Sequence, residues 1–175
     1  MKFRIITALA VTVASGVGLA SGGTATAQTT GREVFKGVIV ASGVSGSREI
    51  VSSVVVAKGA FRGIGRIVEV DNRPTDPDNV SRDDLVFRRG TMHIVVMNEA
   101  FEFSLNPRTC VFRVALQQTG TVEGGTGAFT RATGSFTGAV HAHGVVPRNP
   151  DHSCSDGAAP LVEVDIVSAT GTLTF

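Results

Sequence analysis

Downstream of residue 33 the chain alternates short runs rich in Val, Ile and Phe with clusters of Gly, Pro, Asn, Asp and Ser, the pattern of β-strands separated by turns. The first two runs cover residues 34–41 and 48–57 and flank a turn-forming cluster at residues 42–47. A third, residues 61–70, carries Gly63 and Gly65, where a bulge or the close approach of another backbone is expected. Residues 85–87, 91–97 and 100–105 follow. In the last of these Phe101, Phe103 and Leu105 share one face while Glu102 and Ser104 share the other, as period-two alternation requires. Residues 110–117 set Phe112, Val114 and Leu116 against Val111, Arg113 and Ala115. Further on, Phe136, Val140 and Ala142 form an apolar row opposite Ser135, Thr137, His141 and His143. The last run, residues 161–175, sets Val162, Val164 and Ile166 against Glu163 and Asp165.

Nothing in residues 28–175 repeats apolar positions with helical spacing. Eight or nine short strands predict an antiparallel sandwich or barrel, and a barrel disposes of the whole chain as one sheet without exposed edges. The expected fold is therefore all-β, a single antiparallel β-barrel that the last run closes. Two stretches break the strand pattern. Residues 71–84 hold two prolines and five aspartates, and residues 147–160 form a second loop. Between strands, Gly124, Gly125 and Gly127 suit a tight turn, Gly134 and Gly138 suit bends or bulges in the strand that follows, and Phe129 and Phe136 are expected to anchor that corner in the core.

Composition adds a compartment. Met1-Lys2-Phe3-Arg4, the apolar stretch that follows and Ala25-Thr26-Ala27 before Gln28 form a signal-peptide pattern over residues 1–27, leaving residues 28–175 as one barrel domain exported from the cell. Loss of Lys2 and Arg4 turns a formal charge of +1 into about −1. That balance argues against nucleic acid, and against a membrane surface after cleavage, as partners. Cys110 and Cys154 are the two cysteines of an apparently exported chain and predict one disulfide, worth roughly 3 to 4 kcal/mol by loop-closure entropy. Trp and Tyr are absent, so Phe supplies every aromatic contact.

Gly124-Gly125-Thr126-Gly127 with Phe129, Ala132 and Gly134 resembles the GGTGxFxxAxG signature of plant dirigent proteins, and the strand layout of residues 32–175 is similar to that of the bacterial allene oxide cyclase barrel-like group. Asp76-Pro77-Asp78-Asn79, the segment from Arg82 to Phe87 and the segment from Ser104 to Cys110 also look similar to that group. The resemblance implies an eight-stranded barrel whose lumen takes apolar small molecules, and a homo-oligomer that is trimeric among plant members. Those plant relatives cyclise an unstable epoxide or orient radical coupling, with catalytic residues outside the glycine motif. None of those residues is transferred to this chain.

Candidate chemistry follows from which polar side chains face inward. His93, on the face of Val95 and Met97, is the candidate lumen histidine, and Phe101, Phe103 and Met97 are candidate ligand contacts. Glu102, Arg113, Glu163 and Asp165 are charged residues inside strands and are expected to point outward. An inward Glu102 or Arg113 would be a catalytic candidate, Arg113 as a cation beside a ligand carboxylate, because an apolar lumen shifts the pKa of any group it encloses. His141 and His143 share a polar face without a third ligand, and the 71–84 loop fails the EF-hand pattern at Val80 and Arg82. No metal and no cofactor is therefore expected; Asx-turns and pairs with Arg73 and Arg82 account for the aspartates. The reading that results is a secreted barrel that binds, and by resemblance cyclises or orients, a small apolar molecule. The alternative is a non-enzymatic secreted interaction or cell-envelope protein acting through its outer surface and long loops.

Overall fold

The computed structural model describes residues 28–43 and 46–175. The signal peptide expected over residues 1–27, and Val44 and Ser45 of the first turn, lie outside the described residues. Eight strands run antiparallel, each paired to the next in sequence: β1 (Thr30–Ser42), β2 (Glu49–Gly59), β3 (Arg62–Val70), β4 (Val80–Phe87), β5 (Gly90–Leu105), β6 (Val111–Gly125), β7 (Thr133–Val145) and β8 (Val162–Thr174). Pairing of β8 back onto β1 closes the barrel. Among the described residues the single helical segment is one 3₁₀ turn, Gly127–Phe129.

Several expected boundaries move; β6, expected to end at Gln117, runs on to Gly125 and takes in two of the glycines expected in the turn. The runs at 91–97 and 100–105 are one strand, β5, because Glu99 is an extra residue in the ladder: Asn98 pairs with Gln118 and Ala100 with Gln117. That bulge reads as a turn in the sequence. Strand β4 also starts earlier than expected, at Val80, so the last five residues of the anticipated 71–84 loop belong to the sheet. What remains of the loop is tied down by Asp76, whose carboxylate accepts from Arg82 Nε at 2.6 Å, Arg82 Nη2 at 3.0 Å and the Arg73 amide at 2.8 Å.

One end of the barrel is sealed by aromatics. Phe61 packs edge-on against Phe87, Phe129 and Phe175, with ring centroids 4.9, 5.0 and 6.0 Å away. Met92 and Leu173 fill the spaces around them. The glycine stretch builds this floor. Gly127 sits at φ +57°, where a Cβ would stand 2.4 Å from the Arg89 carbonyl oxygen. Only glycine lets the turn lie this close to the β4–β5 connection, where the Ala128 amide donates to Arg89 O at 2.9 Å. The turn drives Phe129 fully into the floor, and Phe136 packs on the same core, as expected for both. No bulge forms at Gly134 or Gly138, since β7 keeps unbroken register with both neighbours. At Gly134 the backbone of β8 comes so near that a Cβ would lie 2.3 Å from Thr172 O.

Glu33 is also buried in the floor, 1% exposed. Its Oε2 accepts from the Phe61 amide at 2.8 Å, which gives the buried acid a partner at the β2–β3 turn, while burial raises its pKa. At the opposite end, the Cys110–Cys154 disulfide joins the β5–β6 turn to the 147–160 loop and packs with Phe112 and Val146 as a second small core.

Candidate functional site

Strand parity decides what the lumen contains. Phe35, Gly37 and Ile39 point inward from β1; their partners on β8, Ala169, Val167 and Asp165, do the same. Around the ring Val55, Ile67, Leu85, Ile94, Leu116 and Phe136 complete an apolar wall. It encloses a cavity of about 690 Å³, closed by the aromatic floor and open at the other end. The cavity survives because several inward positions are small: Gly37, Gly138, Ala142 and Ala169 leave space that larger side chains would fill.

Seven charged residues line the open end of this apolar space: Asp71, Arg82 and a cluster of five around Arg48. Arg48, just before β2, donates from Nε to Glu163 at 3.0 Å, from Nη2 to Asp165 at 2.7 Å and from Nη1 to Glu69. Glu163 and Asp165 project from β8 and Glu69 from β3, so one guanidinium spans the first two strands to tie β8 to β3. Asp83, on β4, pairs across the ladder with Glu69. Three carboxylates thus pair with one cation, and Asp83 stands beside them as a fourth. Asp165 is the extreme member: it is 4% exposed, and its Oδ1 is buried without a hydrogen-bond partner.

The consequences for protonation follow from burial. Desolvation, reinforced by neighbouring Glu163 and only partly opposed by Arg48, lifts Asp165 from 3.8 to about 7. Desolvation and then Glu69 lift Asp83 from 3.8 to about 6. Burial pulls the other way on Arg48, yet Glu163, Glu69 and Asp165 together hold it above the ordinary arginine value. Outside the barrel the opposite holds: the Arg82 guanidinium keeps Asp76 down at about 2.

The residues expected to carry chemistry fall elsewhere. On β5, Met92, Ile94 and Val96 are buried, so His93 and Met97 lie on the outer face. His93 Nδ1 is 2.6 Å from Asp84 Oδ1 on the neighbouring strand, and His93 does not face the lumen. Glu102 and Arg113 are also outside, beside His141 and His143. The Glu99 bulge shifts parity, so Phe101 and Phe103 pair with the cavity-lining Leu116 and Val114. They stand on the inner face but above the rim, 65% and 48% exposed, and Phe103 stacks on Phe112 at 6.4 Å. Glu163 and Asp165 reverse their expected outward orientation: they point inward, and Val162 and Ile166 are the exposed face of β8. Nothing in the sequence points to Arg48 or Glu69, and Asp83, expected among the loop aspartates, lies instead in β4 and lines the cavity. Asp83 shares parity with Leu85 and Phe87, and that was the signal available for it.

Among the described residues no group of three or more His, Cys, Asp or Glu side chains converges as a metal site, and no helix is long and apolar enough to cross a membrane. The chain matches no family model, no curated protein and no solved structure. The likeness to allene oxide cyclase and dirigent barrels therefore rests on the glycine motif and the strand layout, and the structure supports its fold alone.

Proposed function

We propose that this chain is a secreted barrel whose lumen binds a small, largely apolar molecule. The observation that carries this reading is the 690 Å³ cavity, apolar in its walls, closed at the floor and open at a polar mouth. Such cavities match the size and character of small-molecule sites, in which apolar walls supply affinity and a few polar groups fix orientation. Export is supported by the signal-peptide pattern and by a disulfide of the kind that persists in oxidising compartments. Any cyclisation or orientation of the bound molecule would fall to the carboxylates at the mouth and to the Gln118 and Asn98 amides in the wall.

A titration with the neutral solvatochromic dye Nile red tests the reading. Val140 lines the cavity, and the chain has no Trp or Tyr, so Val140→Trp both fills the lumen and installs its single indole fluorophore. Wild-type protein should bind the dye saturably, and the Trp variant, with its fold checked by circular dichroism, should bind at least about tenfold more weakly. Equal binding by both proteins would place the dye outside the lumen and refute the reading. That outcome would favour the second reading, a surface interaction protein, for which the exposed Phe101 and Phe103 above the rim speak.

A further inference from the structure

Resting on the lumen-binding reading, we infer that the molecule the barrel takes is an organic cation: an amine with an apolar body, its ammonium held among Asp165, Glu163 and Asp83. Three observations lead there. Around Arg48 the cavity mouth sets Glu69, Asp83, Glu163 and Asp165 against one guanidinium, and Arg82, the other cation in the lining, is already paired with Asp76 and Glu123, so carboxylate is in surplus there. Each nitrogen of Arg48 already donates to a different carboxylate, so three of its five N–H groups and its single charge are committed within the cluster. Finally, Asp165 Oδ1 is buried in the cavity wall with no donor to satisfy it, in a residue that is 4% exposed. A buried acceptor without a partner is costly, and a donor arriving with a positive charge removes that cost and neutralises the surrounding acids together. Below the mouth the walls are mostly apolar, broken by Gln118 and Asn98, whose amides bond to each other at 2.8 Å, and this space accommodates the body of the molecule.

A proton can do part of this work in place of the ammonium. The groups facing Asp165 are Arg48, Glu163, Glu69 and Asp83; the neighbours across the ladders, Ile39 on β1 and Ala142 on β7, are apolar. With Glu163 beside it and only a share of Arg48, Asp165 holds its proton to about pH 7. A bound ammonium takes the proton's place, so binding releases a proton and strengthens as pH rises from 6 to 8, while an alkylamine stays charged throughout.

Competition against Nile red with decylamine, decanol and decanoic acid tests the inference, since the three share one apolar body. Decylamine should displace the dye at about tenfold lower concentration than decanol at pH 8, the scale of a hydrogen bond to a charged group, and decanoic acid should be the weakest. The advantage of the amine should shrink at pH 6 and should be lost in Asp165→Asn and reduced in Glu163→Gln. It should persist in Glu102→Gln, which removes one acid from the outer face without touching the lumen. Should decanol match decylamine, or decanoic acid bind best, the inference falls while lumen binding stands. Should the amine advantage survive Asp165→Asn and Glu163→Gln together, the cation is held elsewhere and the inference again falls. If Val140→Trp fails to weaken the dye, both the inference and the reading beneath it fail.

Discussion

Asp165 stands where it costs the fold stability, and replacing it should show this. In the unfolded chain its carboxyl titrates near 3.8; in the folded barrel it titrates near 7. Between those values the native state binds more protons than the unfolded state, so stability falls as pH rises. The contribution is fully present below 3.8 and is lost as pH passes through about 7. Asp83, lifted to about 6, adds a slope of the same sign. The upper bound for Asp165 is about 4 kcal/mol, at 1.36 kcal/mol for each pH unit of displacement. Because its charge is shared with Glu163 at a solvent-facing mouth, about half of that, ~2 kcal/mol, is the expected effect. Asp165→Asn removes the ionisable group, keeps the shape and leaves an oxygen to accept from Arg48. The opposing loss is one charge partner of Arg48, which retains Glu163 at 3.0 Å and Glu69. Burial therefore wins over pairing. Thermal melts followed by circular dichroism should place the variant about 4–8 °C above wild type at pH 8, with a gap roughly a third as large at pH 5, which still lies above the unfolded value of 3.8. A variant that melts below wild type at pH 8, or a gap of the same size at both pH values, would refute the reasoning.

Two further perturbations separate the floor from the mouth. Phe129→Ala empties the centre of a ring cluster in which Phe61 and Phe175 stand 5.0 and 5.7 Å away, and should lower stability by about 3–5 kcal/mol in chemical denaturation. Little change in the denaturation midpoint would mean that the floor is not the cooperative core. Reducing Cys110–Cys154, or replacing both cysteines by serine, frees a connection between residues 44 apart and should cost roughly 4 kcal/mol by chain entropy. Limited proteolysis should then cut within residues 147–160, which loses its tie to the β5–β6 turn; unchanged resistance would show that the loop holds without the bond.

The barrel was legible in the sequence because its signals are local. Turn clusters, period-two alternation and the glycine motif each specify a neighbourhood of a few residues, and the closed meander assembles from neighbours alone. The site was not legible, because inner and outer faces are fixed over the whole strand. Residues 162–166 put Val162, Val164 and Ile166 on one parity, and that half of β8 assigns the apolar side inward. The other half, with Val167, Ala169 and Leu173, assigns the opposite parity inward, and the structure follows it because those residues pack on the core. Glu163 and Asp165 are carried into the lumen by register with Leu173. A bulge does the same in β5. One extra residue, Glu99, inverts parity between Val96 and Phe101, which left His93 outside and brought Phe101 and Phe103 to the inner side. Arg48 was invisible for a third reason: its partners are 21 to 117 residues away and meet only when the ring closes.

Where the charges sit bears on what the barrel is for. The closed end concentrates most of the large aromatics, the buried methionine and a partnered Glu33, so most of the apolar cohesion lies away from the ion cluster at the mouth. At the open end an ion cluster faces a cavity that small inward residues keep empty, and one carboxylate oxygen there has no partner. Filling the cavity with larger apolar side chains and replacing Asp165 by a neutral residue would each favour the folded state by ordinary packing and solvation rules. The chain does neither, and both departures fall at the same place, around one opening. Departures from local rules that coincide in space mark a functional site more strongly than either does alone. The mouth is therefore the region where substitutions should change ligand binding while leaving stability intact or raising it, and the floor the region where they should do the reverse.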